Sequence, residues 1–236
     1  MMPRSVLFIL FILFIPLSLT VPHTIFANVY KKCTKPGLVA MTFDDGVTKN
    51  YPVLLDILDQ VDVKATFFIE GQVSVDKNRY HFLFDVYRRG HEIGNHTWAH
   101  PRLITLTEKE LDSEITRTDA LIHSVVGYAK VLKYMRPPYG ELDTSVVNYL
   151  TLHENKIVLW NIEVIGDWRK GKTKRSRDQL WNSFLNGFKD ANPDKDSYIL
   201  LQHDKSIDSV TLVPNIVQVI RNKGFRIVPL DVCLKS

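Results

Sequence analysis

The stretch LVAMTFDDGVTKN, Leu38 to Asn50, decides the reading of the fold. An unbroken apolar run ends in two adjacent carboxylates, Asp44 and Asp45, followed by Gly46. A continuously apolar run fits a strand buried on both faces, as in a parallel sheet. Two neighbouring like charges repel each other and add nothing to packing. Their position at a strand end therefore needs a chemical reason. Gly46 fits a sharp turn there, where a side chain would crowd whatever the carboxylates hold.

The rest of the chain repeats the strand pattern. LVAMTF (38–43), ATFFI (65–69), HEIGNH (91–96), LKYMR (132–136), KIVLWNI (156–162), SYILLQH (197–203) and FRIVPL (225–230) read as strands. Between them lie helical patterns such as YPVLLDILDQV and TEKELDSEITRTDALIHSV. In the second of these, Leu111, Ile115, Thr118 and Ile122 recur three and four apart. Gly90 and Gly224 fall where helices stop. Such alternation predicts an α/β fold with parallel strands and helices outside them. Seven units suit a closed or nearly closed barrel, with an open doubly wound sheet as the alternative. No linker divides the region.

In a parallel barrel the active site lies at the C-terminal strand ends. The polar clusters fall there: Asp44 and Asp45, His96, Arg136, Asp167 just beyond the fifth strand, and His203. HTWAH places His96 and His100 four apart, a spacing that on one helical turn aims two imidazoles at one metal. Asp45 or Asp44 is the candidate third ligand. The other carboxylate is then free to take a proton from water. Arg136 is the candidate to orient that base. His203 is a candidate proton donor, with Asp167 favouring its charged form, and Asp204 reads as a cap for the next helix.

Five motifs in order now carry a resemblance: TFDDG (42–46), HTWAH (96–100), RPPY (136–139), DW (167–168) and ILLQH (199–203). The chain resembles the polysaccharide deacetylase family, the NodB-homology domain of carbohydrate esterase family 4. That resemblance implies a distorted, incompletely closed (β/α) barrel of about seven parallel strands, related to the TIM barrel, over residues 28–236. It implies metal-dependent N-deacetylation of N-acetylglucosamine polymers. Carried over by position, Asp44 is the base and Arg136 its contact. Asp45, His96 and His100 hold a divalent metal, zinc or cobalt. The Tyr139 backbone N–H stabilises the oxyanion, and Asp167 tunes the general acid His203. Trp168 and Leu201 wall the pocket for the acetyl methyl. The fourth motif departs from the family pattern: an aspartate is expected ahead of DW, one residue closer, and Glu163 stands near that place.

The remaining features bound the function. Arg4 and the apolar run SVLFILFILFIPLSLTV read as a secretory signal peptide, residues 1–22, with cleavage anywhere from Thr20 to Ala27 and a retained anchor as the alternative. After cleavage no stable membrane insertion is expected. Two cysteines only, Cys33 and Cys233, flank the domain, which suggests one disulfide clasping its ends. A net charge of +4 with a single basic run, Arg169 to Arg177, excludes a nucleic-acid groove as the leading reading. The sequon at Asn95 overlaps the metal motif, so a glycan there would block the site. The expected protein is a secreted or cell-wall monomer acting on chitin, chitooligosaccharides or a related N-acetylated glycan. The rivals are a non-catalytic glycan binder and a metallohydrolase for another amide or ester.

Overall fold

The computed structural model describes residues 28–235 except 77–78, 128–131, 170 and 172–173. The signal-peptide reading of residues 1–22, or 1–27, lies outside the described residues. Among the described residues, no helix is long and apolar enough to cross a membrane.

Nine strands form one parallel sheet: β1 (Val29–Tyr30), β2 (Leu38–Gly46), β3 (Thr66–Ile69), β4 (Glu92–Asn95), β5 (Tyr134–Met135), β6 (Lys156–Val158), β7 (Ile162–Glu163), β8 (Tyr198–His203) and β9 (Arg226–Ile227). Eight follow the order β1-β6-β5-β4-β3-β2-β8-β7, and β9 pairs with the start of β2. The sheet curls but does not close, since β1 and β7 are its two ends. This is the incomplete (β/α) barrel, and it sets aside the doubly wound alternative.

The strand centre behaves as its sequence dictates. Every residue of β2 is buried. Alternation sends Val39, Met41 and Phe43 outward to the helices, where they meet Leu54, Leu58, Phe184 and Ile216. Leu38 and Ala40 point the other way, into a cluster with Phe68, Ile199 and Leu230. Thr42 and Asp44 share that inner direction, which aims Asp44 at the barrel interior. Helix Glu108–Val126 starts on a capping box made by Thr107 and Glu110, and buries Leu111, Ile115, Thr118 and Ile122 as its spacing predicted. Gly90 and Gly224 follow helices 80–88 and 213–222 with φ of 79° and 87°. Cys33 and Cys233 are joined in a disulfide across 200 residues of sequence.

One expected strand is two. The run 156–162 splits into β6, next to one end of the sheet order, and β7, at the other end. Asn161 accounts for the break. Its side-chain Nδ2 donates to the Ser197 carbonyl and its Oδ1 accepts from the Ile199 N–H, adding to the bond from its own N–H to the Ile199 carbonyl and fixing the chain beside β8. β1 is a further strand with only two residues, pairing with β6.

Candidate active site

Parallel register brings the motifs together. Asp44 pairs with His203 between β2 and β8, and with Phe68 on β3. Asn95 at the end of β4 pairs with Met135 on β5, so His96 and Arg136 leave adjacent strand ends. Asp44, His96 and His203 line a pocket of about 330 Å³ together with Asp45, His100, Tyr139, Trp168 and Leu201.

Asp44 and Asp45 point to different partners. Arg136 donates from Nη1 to Asp44 Oδ1 at 2.7 Å and to Thr42 Oγ1 at 2.8 Å. Its Nε and Nη2 donate to the carbonyls of Val158, the last residue of β6, and Leu159, just beyond it. The guanidinium is fully buried and lies 4.2 Å from the Phe68 ring centroid. Burial acts to lower its pKa, and the Asp44 carboxylate opposes that loss of charge; the net direction is downward.

Asp45 turns the other way, at φ 65°. Its Oδ1 lies 3.3 Å from both His96 Nε2 and His100 Nε2. One ligand atom from each of the three falls within 4.8 Å of the others. Burial raises the Asp45 pKa, but hydrogen bonds from His100 and His96 outweigh it and hold the carboxyl far below the usual range. His96 Nδ1 lies 2.7 Å from the Arg136 carbonyl. With Nδ1 donating there, loss of the Nε2 proton would free that lone pair for a metal between it and Asp45, the arrangement a metal-ligating imidazole needs. Two imidazoles and one carboxylate therefore form a divalent-metal triad with an open side toward the pocket.

The histidine pair is not on a helical turn. His96 to His100 form a loop, with Thr97 at φ 69° and His100 at φ 57°. The turn is held by groups outside the motif: Asn95 Oδ1 accepts from the Thr97 N–H, and Glu114 Oε2 accepts from the Trp98 and Ala99 N–H groups. Asn95 Nδ2 donates to the Ile115 carbonyl and Asp119 Oδ1, and the residue is 1% exposed. The sequon is thus closed in the folded chain. Four of the seven described non-glycine residues with positive φ are Asp45, Thr97, His100 and Tyr139, all in this site. Backbone strain gathers where function fixes side-chain direction.

His203 faces the triad from β8. Its Nδ1 lies 2.7 Å from Asp167 Oδ1, while Asp167 Oδ2 accepts from the His203 N–H and from Ser209 Oγ. Its Nε2 lies 3.8 Å from Asp45 Oδ2. Burial works against its charge, but Asp167 outweighs it and raises the pKa to about 9. The Trp168 ring centroid is 5.6 Å from that of His203, and buried Leu201 lies on the same wall. Tyr139 turns at φ 60°, and its N–H donates to no acceptor among the described residues.

Two local readings are corrected. Asp204 caps no helix: Ser206 is the N-cap of helix 207–210, while Asp204 Oδ2 accepts from the Thr48 N–H at 3.1 Å and its carbonyl accepts from Asn50 Nδ2. It ties the end of β8 to the loop after β2. At Gly46 the crowding group is Tyr51, since a Cβ there would stand 2.1 Å from the phenol oxygen. Sequence reasoning missed Lys205, whose Nζ lies 2.7 Å from Asp45 Oδ2, and Glu114, and it gave no positioning role to Asn95 or to Thr42 of the TFDDG motif. Glu163, near the expected extra aspartate, does line the pocket and accepts from Trp160 Nε1 at 3.3 Å.

Residues 31–158 match the sequence profile of the family described as polysaccharide deacetylase. The chain belongs to the polysaccharide deacetylase family. It is 35% identical over 214 residues to the chitin deacetylase of Colletotrichum lindemuthianum, covering 86% of this chain and 82% of that one. It is equally 35% identical over 198 residues to a peptidoglycan-N-acetylglucosamine deacetylase of Bacillus cereus, covering 81% of this chain and 66% of the relative. The solved structure of the Colletotrichum enzyme superimposes with a TM-score of 0.79 at 32% identity, over 88% of this chain and 92% of that chain. With its metal triad intact, this family member is a metal-dependent deacetylase.

Proposed function

We propose that this enzyme hydrolyses the N-acetyl group of N-acetylglucosamine residues in chitin or chitooligosaccharides, with zinc in the triad, outside the cell or in its wall. The observation that carries the proposal is the division of labour between the adjacent carboxylates: Asp44 is fixed by Arg136, and Asp45 by His96 and His100. Two histidines and one carboxylate with an open position suit zinc, and cobalt accepts the same set. The chitin deacetylase relative supports the substrate class, and the buried disulfide supports an oxidising compartment.

A divalent ion in the triad supplies a Lewis acid that polarises the acetamide carbonyl and lowers the pKa of water. The protein's own groups then have separate tasks. Arg136 occupies Asp44 Oδ1, which leaves Oδ2, 3.8 Å from His96 Nε2, toward the site to take the water proton. The unpartnered Tyr139 N–H meets the developing oxyanion. His203, charged through Asp167, gives its Nε2 proton to the glucosamine nitrogen as acetate leaves. Trp168 and Leu201 close around the methyl. The attack is by water, so no covalent enzyme intermediate forms.

The deciding assay is acetate release by the zinc-loaded enzyme from defined chitooligosaccharides and from peptidoglycan, with Asp44→Asn as control. Release from chitooligosaccharides, lost in the control, is expected. Release from peptidoglycan alone would replace the substrate, and release from no acetylated glycan would overturn the reading.

A further inference from the structure

Lys205 stands two residues beyond His203, in the turn that follows β8. Its Nζ lies 2.7 Å from Asp45 Oδ2 and 3.5 Å from Glu70 Oε1. The proposed reaction makes no use of this contact. The three residues leave the ends of β2, β3 and β8, which lie side by side in the sheet. Backbone contacts fix where each begins. The Glu70 N–H donates to the Gly46 carbonyl at 3.1 Å, and buried Asp204, next to Lys205, accepts from the Thr48 N–H.

The lysine reaches Asp45 from behind. Asp45 lines both the catalytic pocket and a neighbouring hollow of about 440 Å³, whereas Lys205 and Glu70 line the hollow alone. The two oxygens of the Asp45 carboxylate are thereby divided. Oδ1 faces His96 and His100, each at 3.3 Å, and Oδ2 takes the ammonium. His203 also faces Oδ2, but its Nε2, at 3.8 Å, is too distant for a hydrogen bond. Because triad and lysine use different oxygens, a metal held through Oδ1 leaves the lysine contact in place. An oxygen that already accepts a charge-assisted hydrogen bond is a poor second ligand atom. Asp45 then binds through one atom, and a coordination position stays open for water or substrate. A fixed ammonium beside a divalent cation also repels it, which weakens metal binding.

We infer that Lys205 is a positioning residue for the metal: it keeps Asp45 ligating through Oδ1 alone, giving up metal affinity for an open coordination position. The inference rests on the metal-dependent reading of the triad and not on which glycan is deacetylated.

The test compares wild type with Lys205→Met, which keeps the side chain's length and removes both charge and donor. Chelator competition reads zinc affinity, cobalt(II) absorption reads coordination number, and kcat is taken on acetylated chitooligosaccharides. Lys205→Met is expected to bind zinc about tenfold to a hundredfold more tightly, with kcat lowered about tenfold or more, the range typical of groups that hold a metal ligand. Its cobalt(II) bands weaken, as an added ligand atom requires. Lys205→Arg, which keeps charge and donors, stays near wild type. A purely structural lysine would lower affinity and rate together. That result, or an unchanged zinc affinity, overturns the assignment, and tighter binding with an unchanged cobalt(II) spectrum overturns the one-oxygen role. Should Lys205→Met not fold, Lys205→Gln, which keeps a donor and drops the charge, is titrated in its place. Tighter zinc binding by that variant supports the inference, and equal or weaker binding overturns it. If the wild type binds zinc but releases no acetate, the deacetylase reading fails while zinc affinity and the cobalt(II) spectrum still decide Lys205. If the wild type binds neither metal, both readings fall.

Discussion

Arg136 Nη1 sits 2.7 Å from Asp44 Oδ1, and both residues are buried at the centre of the barrel. Both charges are almost wholly withdrawn from solvent, so removal of either leaves the other in a low dielectric without its main partner. Arg136→Ala is expected to cost about 3–5 kcal/mol of stability and to abolish acetate release. Arg136→Lys keeps the charge but cannot serve Thr42, Asp44, Val158 and Leu159 together, and falls between wild type and Ala. Urea denaturation and activity on the same samples check this. A stable, active Arg136→Ala protein would show that the pair is dispensable.

The Asp167–His203 contact predicts a change in pH profile. A proton donor acts only while protonated, so activity falls as pH rises through its pKa. Asp167 is what lifts the His203 pKa against the effect of burial. Asp167→Asn therefore moves the alkaline limb of kcat/KM to lower pH. A general fall in rate with the limb unmoved would assign Asp167 to packing alone.

How much of this was readable beforehand depends on where each determinant sits. Leu38–Phe43, apolar but for Thr42, and Tyr198–Leu201 carry their burial in apolar runs, so strands and their polar ends could be located. The five motifs then pointed to the metal triad and to the residues gathered around it, because each stands at a strand end that parallel topology brings together. The split at Asn161 was hidden, since it depends on one amide finding Ser197 and Ile199, some 36 to 38 positions away. The loop of His96–His100 was hidden for the same reason: its shape is set by Asn95 and Glu114, and the i, i+4 spacing alone fits a helix equally well. Long-range polar contacts between single residues leave no periodicity to read.

The Asp45–His96–His100 triad predicts that metal binding fails before folding does. Asp45→Ala removes the one anionic ligand and is expected to abolish stoichiometric zinc binding, while helix content is retained. Inductively coupled plasma analysis after dialysis, with circular dichroism alongside, reads both. Full zinc occupancy in the variant would move the metal elsewhere.

The disulfide predicts a stability effect separable from catalysis. Cys33–Cys233 closes a loop of 200 residues, for which chain entropy gives about 5 kcal/mol at most. Adjacent backbone contacts, such as Thr34 N–H to the Cys233 carbonyl at 2.9 Å, remain without it. Cys33→Ser/Cys233→Ser should lower Tm substantially and leave the rate of acetate release at low temperature near wild type. A rate loss at temperatures where the variant is folded would tie the clasp to the site.

Glu92 offers a pH-linked test remote from the metal residues. Its Oε2 accepts from Thr66 Oγ1 and the Leu230 N–H, and its Oε1 from the Asp231 N–H. Burial raises its pKa from 4.5 to about 7, against the lowering effect of these hydrogen bonds. Between those two values the folded chain holds a proton that the unfolded chain has lost. Stability therefore declines as pH rises through that window, by an amount on the order of 3 kcal/mol. Glu92→Gln carries no titrating proton, so its stability relative to wild type should be lowest near pH 4.5 and improve toward pH 7.5. Denaturant midpoints of the two proteins at those pH values give the difference directly. A gap that is constant with pH would place the Glu92 pKa at its ordinary value and make the carboxylate, held by two backbone donors at the start of the last helix, an ionised cap.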